Sequence, residues 1–144
     1  MPTFEACTKS SKAQLIKAPA KGRAAIFQNP ACEKYRVTVF DDCVDTGGGK
    51  RADYIITRPG FVSVITELKG TNIKEAGEQI VATKNFLSAG GFAEPHVGAL
   101  IVSSKVPLGV STVQQTALLL RKAGIARLRV KNSCWCGAAD EFIP

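Results

Sequence analysis

One segment limits the possible folds more than any other. Along Phe61–Lys69 (FVSVITELK), alternate residues put Phe61, Ser63, Ile65, Glu67 and Lys69 on one face and Val62, Val64, Thr66 and Leu68 on the other. Both faces are largely apolar, so the segment reads as a central strand covered on both sides. A carboxylate and an ammonium stand at its end, where burial costs roughly several kcal/mol per ion unless the charges are paired, solvated or metal-bound. The end of this strand is therefore the first place to look for chemistry, with an ordinary salt bridge at the limit of burial as the alternative.

The flanking pattern fits that reading. Tyr35–Asp41 (YRVTVFD) and Arg51–Arg58 (RADYIITR) are rich in β-branched and aromatic residues and read as strands. Gly47, Gly48 and Gly49 lie between them as a flexible turn, and Pro59-Gly60 turns the second strand into Phe61–Lys69. Gly70 stops that strand. Ile73–Ser88 reads as a helix with Ala76, Ile80, Thr83 and Leu87 along one stripe, closed by Gly90-Gly91. His96–Ser104 is an apolar run suited to a strand buried on both faces. Thr112–Ala123 reads as a second helix and Ile125–Val130 as a last strand. The expected class is α/β: a mixed central sheet with an antiparallel three-strand meander, a helical crossover and flanking helices. One domain spans 1–144, with its core at about 35–131 and a poorly defined N-terminal extension over 1–30. Within that extension Ala13–Ile16 suggests a short helix, Lys17–Arg23 a loop and Ala24–Gln28 a further turn of helix.

Charge and cysteine content narrow the setting. With 19 Lys and Arg against 12 Asp and Glu, the chain carries a net +7. Lys9, Lys12, Lys17, Lys21 and Arg23 fall in one stretch free of acids; Lys105, Arg121, Lys122, Arg127, Arg129 and Lys131 fall in another. Asp41, Asp42, Asp45, Asp53 and Glu67 lie between them. Basic ground around an acidic centre suits a site that holds a metal while gripping phosphates; a solvated basic surface is the plain alternative. The apolar stretches are too short to span a bilayer, and no apolar leader segment follows Glu5, Lys9 and Lys12. Five cysteines without an export signal suggest a reduced, cytoplasmic chain with free thiols. Cys134 and Cys136 flank Trp135 as C-x-C, short of the usual spacing of a structural zinc site. The remaining Cys and His candidates are Cys7, Cys32, Cys43 and His96. His96, the sole histidine, excludes multi-histidine zinc sites. Gly47-Gly48-Gly49-Lys50 lacks the spacing of a phosphate-binding P-loop.

Whether Asp53 meets Glu67 depends on the turn between them. A two-residue loop would set Asp53 opposite Thr66, on the face away from Glu67. A three-residue loop (Pro59-Gly60-Phe61) or a single β-bulge would set it beside Glu67.

Asp53, thirteen intervening residues and then Glu67-Leu68-Lys69 resemble the motif of the PD-(D/E)xK nuclease superfamily. Its α-β-β-β-α-β core is similar to the pattern over roughly Tyr35–Ser104. Ala52 stands at the position of the motif's proline, which is often absent, and Glu33 is the candidate for the additional N-terminal glutamate of several branches. The resemblance implies a restriction-endonuclease-like fold and a catalytic set of Asp53, Glu67 and Lys69, with Gln79 matching a glutamine that some branches add on the following helix. It implies Mg²⁺ or Mn²⁺ held by Asp53, Glu67 and the Leu68 carbonyl, and nucleic-acid contacts from Lys50, Arg51 and Lys74. The expected activity is metal-dependent phosphodiester hydrolysis by a DNA endonuclease, with DNA favoured over RNA and a homodimer as the plausible assembly. The alternatives are an inactive nucleic-acid- or protein-binding module on the same fold and a small ribonuclease effector.

Overall fold

The computed structural model describes residues 3–20, 22–70, 72–104 and 110–144, with the side chains of 69, 70 and 110 outside the description. The basic stretches' Lys21 and Lys105 lie outside the described residues. Nine strands and two helices are described: β1 (Thr8–Ser11), β2 (Leu15–Ala20), β3 (Arg23–Gln28), β4 (Tyr35–Val39), β5 (Tyr54–Arg58), β6 (Val62–Gly70), α1 (Ile73–Gly90), β7 (His96–Ser103), α2 (Val110–Lys122), β8 (Arg127–Asn132) and β9 (Cys134–Gly137). Short 3-10 turns precede β1 (Glu5–Cys7) and follow β9 (Ala139–Phe142).

Six strands form a mixed central sheet in the order β1-β4-β5-β6-β7-β8. The meander β4-β5-β6 is antiparallel, and β6, β7 and β8 run parallel, with α1 leading into β7 and α2 into β8. Every residue from Val62 to Leu68 is buried, as expected for a strand in the middle of such a sheet. One face packs Ile55, Ile65, Ala99 and Ile101 against Ala76, Ile80 and Leu87 of α1 and Leu120 of α2. The other packs Ile56, Val62, Val64, Leu68 and Leu100 against Ile16, Ala18, Ala25, Phe27, Trp135 and Phe142. Both helices thus cover a single face, and a second sheet, ordered β2-β3-β9, covers the opposite one. α1 starts at Asn72, whose side chain accepts the Glu75 N–H, and ends at Gly91 in the left-handed conformation. At Gly77 it meets α2 so closely that an added Cβ would lie 2.7 Å from Thr116.

The N-terminal segment differs from its sequence reading. The stretches read as helix and loop form the hairpin β2-β3, with Leu15 paired to Gln28 and Ala20 to Arg23. Leu15–Ala20 does alternate exposed and buried positions, but its inward residues are only Ile16 and Ala18, and Pro19 masks the strand signal. Proline is tolerated there because β2 is the edge of its sheet. The cysteine reading is also corrected. Cys7 and Cys43 form a disulfide with Cα atoms 6.0 Å apart, while Cys32, Cys134 and Cys136 are free and exposed. Their separation of 36 residues gives no spacing signal. Antiparallel pairing of β1 with β4, Thr8 opposite Thr38, brings Cys7 beside the loop that follows β4. No helix among the described residues is long and apolar enough to cross a membrane.

Candidate active site

The central sheet has one edge at which β4, β6, β7 and β8 end and β5 begins, so residues distant in sequence converge there. The turn between β5 and β6 decides what converges. Arg58 pairs with Val62, leaving Pro59, Gly60 and Phe61 as a three-residue loop closed by the Phe61 N–H on the Arg58 carbonyl at 3.0 Å. Gly60 has φ +84°, the conformation that the position after proline in a type II turn requires. The pairing runs to Tyr54 opposite Thr66, and one step further sets Asp53 across from Glu67. The side chains agree, because the Leu68 N–H donates to Asp53 Oδ2 at 2.8 Å.

That hydrogen bond sits at an irregularity. Against β7, Glu67 is level with Ile101 but Gly70 with Ser103, so β6 carries one extra residue across Leu68-Lys69. Such a bulge redirects side chains at a strand end and is common beside active sites. The strict alternation that put Glu67 and Lys69 on one face therefore does not extend through it. Lys69 belongs to β6, and its side chain lies outside the described residues.

Asp53 and Glu67 are nearly sealed from solvent, at 6% and 1% exposure. Glu67 follows Ile65 onto the α1 face, whereas Leu68 enters the core under the second sheet. Backbone and side-chain hydrogen bonds fix the approach to Asp53. Its carbonyl accepts the Phe40 N–H at 2.9 Å, and the Ala52 N–H donates to the buried Thr83 hydroxyl at 2.9 Å. That hydroxyl donates to the Gln79 carbonyl at 2.8 Å, and the Gln79 side-chain amide donates to the Arg51 carbonyl at 3.4 Å. The matching glutamine therefore reaches the chain leading to Asp53. Thr83 is the residue whose role sequence reasoning missed: it was placed on the apolar stripe, and a hydroxyl in such a stripe is the available signal.

The surrounding charges are mostly paired. Lys50 bridges to Glu78 at 3.1 Å, and Arg51 lies 3.8 Å from Asp41 while donating to the Val44 carbonyl. Lys74 is exposed in the first turn of α1. A cleft of about 340 Å³ opens beside Asp53, lined by Pro19, Ala20, Val39, Asp41, Asp42, Asp53 and Tyr54. Glu33 and His96 are not brought here. Glu33 bridges at 3.1 Å to Arg58, at the other end of β5, and His96 pairs with Val62 at the start of β6.

The chain matches no protein-family model, no curated protein and no solved structure. Chemistry must therefore be argued from the donors themselves. Like charges at facing strand positions repel, and a buried pair of carboxylates favours a cation between them. Both groups are hard oxygen donors, and Mg²⁺ commonly takes one or two carboxylates and keeps several waters. The described residues hold no cluster of three or more His, Cys, Asp or Glu suited to a metal. A two-carboxylate site does not need one.

Proposed function

We propose that the chain is a metal-dependent nuclease with a restriction-endonuclease-like fold, hydrolysing phosphodiester bonds and acting as an endonuclease on DNA. The observation that carries this reading is the three-residue turn with its consequence, the Asp53 carboxylate on the Leu68 N–H. It sets Asp53 across from Glu67 and on the Leu68 N–H, which supports the arrangement implied by the resemblance to PD-(D/E)xK nucleases. Asp53 and Glu67, with the Leu68 carbonyl, would hold Mg²⁺ or Mn²⁺. A bound ion of this kind supplies Lewis-acid polarisation of the phosphodiester and lowers the pKa of water at the site.

The protein's own residues supply orientation and charge. Asp53 is fixed by its hydrogen bond to β6 and by the Ala52–Thr83–Gln79 chain, so its carboxylate is held before substrate arrives. Gln79 acts in this scheme as a positioning residue through the Arg51 carbonyl. Lys69 orients water or neutralises charge developing on the phosphate. Lys50, Arg51 and Lys74 contact phosphates; Lys50 and Arg51 would exchange their present carboxylate partners for them.

The deciding experiment incubates plasmid, linear duplex, single-stranded and branched DNA, and RNA, with the protein in Mg²⁺, Mn²⁺ or EDTA. Asp53→Asn and Lys69→Ala proteins run in parallel. The expected result is cleavage of DNA that requires the metal and is lost in both variants. Nucleic-acid binding that ignores metal and both substitutions, without cleavage, would overturn the reading in favour of a binding module. Cleavage confined to RNA would replace the DNA substrate with RNA.

A further inference from the structure

The free thiols at the other end of the chain form an arrangement independent of the nuclease reading. β9 is the edge strand of the second sheet and pairs in parallel with β3, Ala24 beside Cys134 and Ile26 beside Cys136. Trp135 and Gly137 face inward, and Trp135 packs against Phe27 and Phe142 with ring centroids 4.8 and 5.4 Å away. That anchor fixes the facing of the strand, so Cys134 and Cys136 both project outward, exposed and outside any disulfide, with the Cys134 thiol donating weakly to the Trp135 carbonyl at 3.9 Å.

We propose that Cys134 and Cys136 form a bis-thiolate site for a two-coordinate thiophilic cation, Cu(I) in its chemistry. Residues two apart on a strand stand about 6.6–6.8 Å from each other. A disulfide needs Cβ atoms only about 3.5–4.5 Å apart, so the extended strand keeps this pair from closing on itself. Two metal–sulfur bonds of about 2.3 Å placed end to end span about 4.6 Å, which leaves each sulfur to lean only about 1 Å toward its neighbour. The spacing that disfavours a disulfide thus suits an ion held between two sulfurs.

The surroundings select the kind of ion. Thiolates are soft donors that favour Cu(I), and the residues of the paired strand directly beside the two cysteines are the apolar Ala24 and Ile26. A structural zinc ion takes four ligands, and the described residues provide no group of three or more candidate donors. A linear two-coordinate ion is satisfied by two. On binding, each thiol releases its proton to solvent and forms one sulfur–metal bond with no change of oxidation state. The resulting complex carries one net negative charge, and Lys17, exposed in the same row of the sheet beyond Ile26, provides a nearby cation.

The test is an anaerobic titration of the full chain with Cu(I) against a chromophoric Cu(I) chelator. Wild type is compared with Cys32→Ser, Cys134→Ser and Cys136→Ser, and with mass measurement of the native protein. The expected result is one ion per chain, unchanged in Cys32→Ser. Either Cys134→Ser or Cys136→Ser should weaken it by more than about 100-fold, beyond what the outer partners of a metal site contribute. Binding that survives both single substitutions would overturn the site, as would one ion shared between two chains. A native mass showing a bond between Cys134 and Cys136 would overturn it as well. Both cysteines are exposed, and an unchanged far-ultraviolet spectrum in the serine variants separates lost ligation from lost folding.

Discussion

At Asp53 the roles of charge and shape can be separated. Its Oδ2 accepts a backbone N–H from the bulged end of β6, a structural duty that an amide oxygen can also perform. Asp53→Asn should therefore keep the fold, with a urea midpoint close to wild type, while abolishing metal-dependent cleavage. Asp53→Ala should lose both, because a buried N–H left without an acceptor costs about 1–3 kcal/mol. Equal unfolding midpoints for the two variants would remove the structural duty. At the opposite end of β5, Tyr35 is buried beside an Arg58 that is paired with Glu33 and Asp140. Burial, with the nearby charges of Asp140 and Glu33, holds the Tyr35 phenol above its ordinary range even though Arg58 pulls it down. A raised pKa means the folded chain keeps this proton after the unfolded chain has released it. Its contribution is complete below about pH 10, the unperturbed value, and is lost as pH rises from there through the folded pKa. Unfolding compared at pH 9 and pH 11 should show a smaller loss of stability in Tyr35→Phe than in wild type.

Among the elements, the β5–β6 turn has the most specific requirement. Nothing lies within 4 Å of a Cβ added at Gly60, so any effect of substitution there comes from its φ of +84° alone. Gly60→Ala should cost about 1–2 kcal/mol, Gly60→Asn less, since asparagine tolerates this region, and Gly60→Val most. Denaturant midpoints that ignore this order would show that the loop adopts another conformation in solution. The elements from β4 to β8 were legible because aromatic and β-branched runs alternate with a striped helix between strong glycine and proline punctuation. The facing of Asp53 and Glu67 was legible up to the parity of this turn, which the sequence leaves open between two and three loop residues. The β2-β3 hairpin and β9 were not legible. Ala18, Ala20, Ala24 and Ala25 give little contrast between inward and outward positions, and the inward residues of β9 are one tryptophan and one glycine. The bulge at Leu68-Lys69 has no local signature either, since it is defined only against β7.

For the whole molecule, the disulfide is the largest departure from expectation. It ties the turn before β1 to the loop after β4, the loop that also carries Asp41 and leads on to Arg51 and Asp53. Disulfides persist in oxidising surroundings, whereas the odd cysteine count suggested a reduced chain. A cross-link over 36 residues is expected to contribute about 2–4 kcal/mol, chiefly by restricting the unfolded chain. Reductant should lower the urea midpoint of wild type accordingly and leave a Cys7→Ser/Cys43→Ser double variant unchanged. Equal midpoints with and without reductant would show that the bond contributes nothing.

The parallel pairing of β3 with β9 also governs the order of assembly. On the side away from β2, Ala24 finds its partner at Cys134, and Phe27 packs on Trp135 and Phe142. During synthesis, the helix-covered side of the central sheet can consolidate while the β2-β3 hairpin still lacks its third strand. On the opposite side of the central sheet, where Val62, Val64 and Leu100 lie, the hairpin supplies only Ile16, Ala18, Ala25 and Phe27, and the cover from Trp135, Ala139 and Phe142 waits until residues 134–142 emerge. Residues 134–142 thus complete the cover that the β2-β3 hairpin begins, and a nascent chain stalled before them would present a greasy, partly unpaired surface to chaperones.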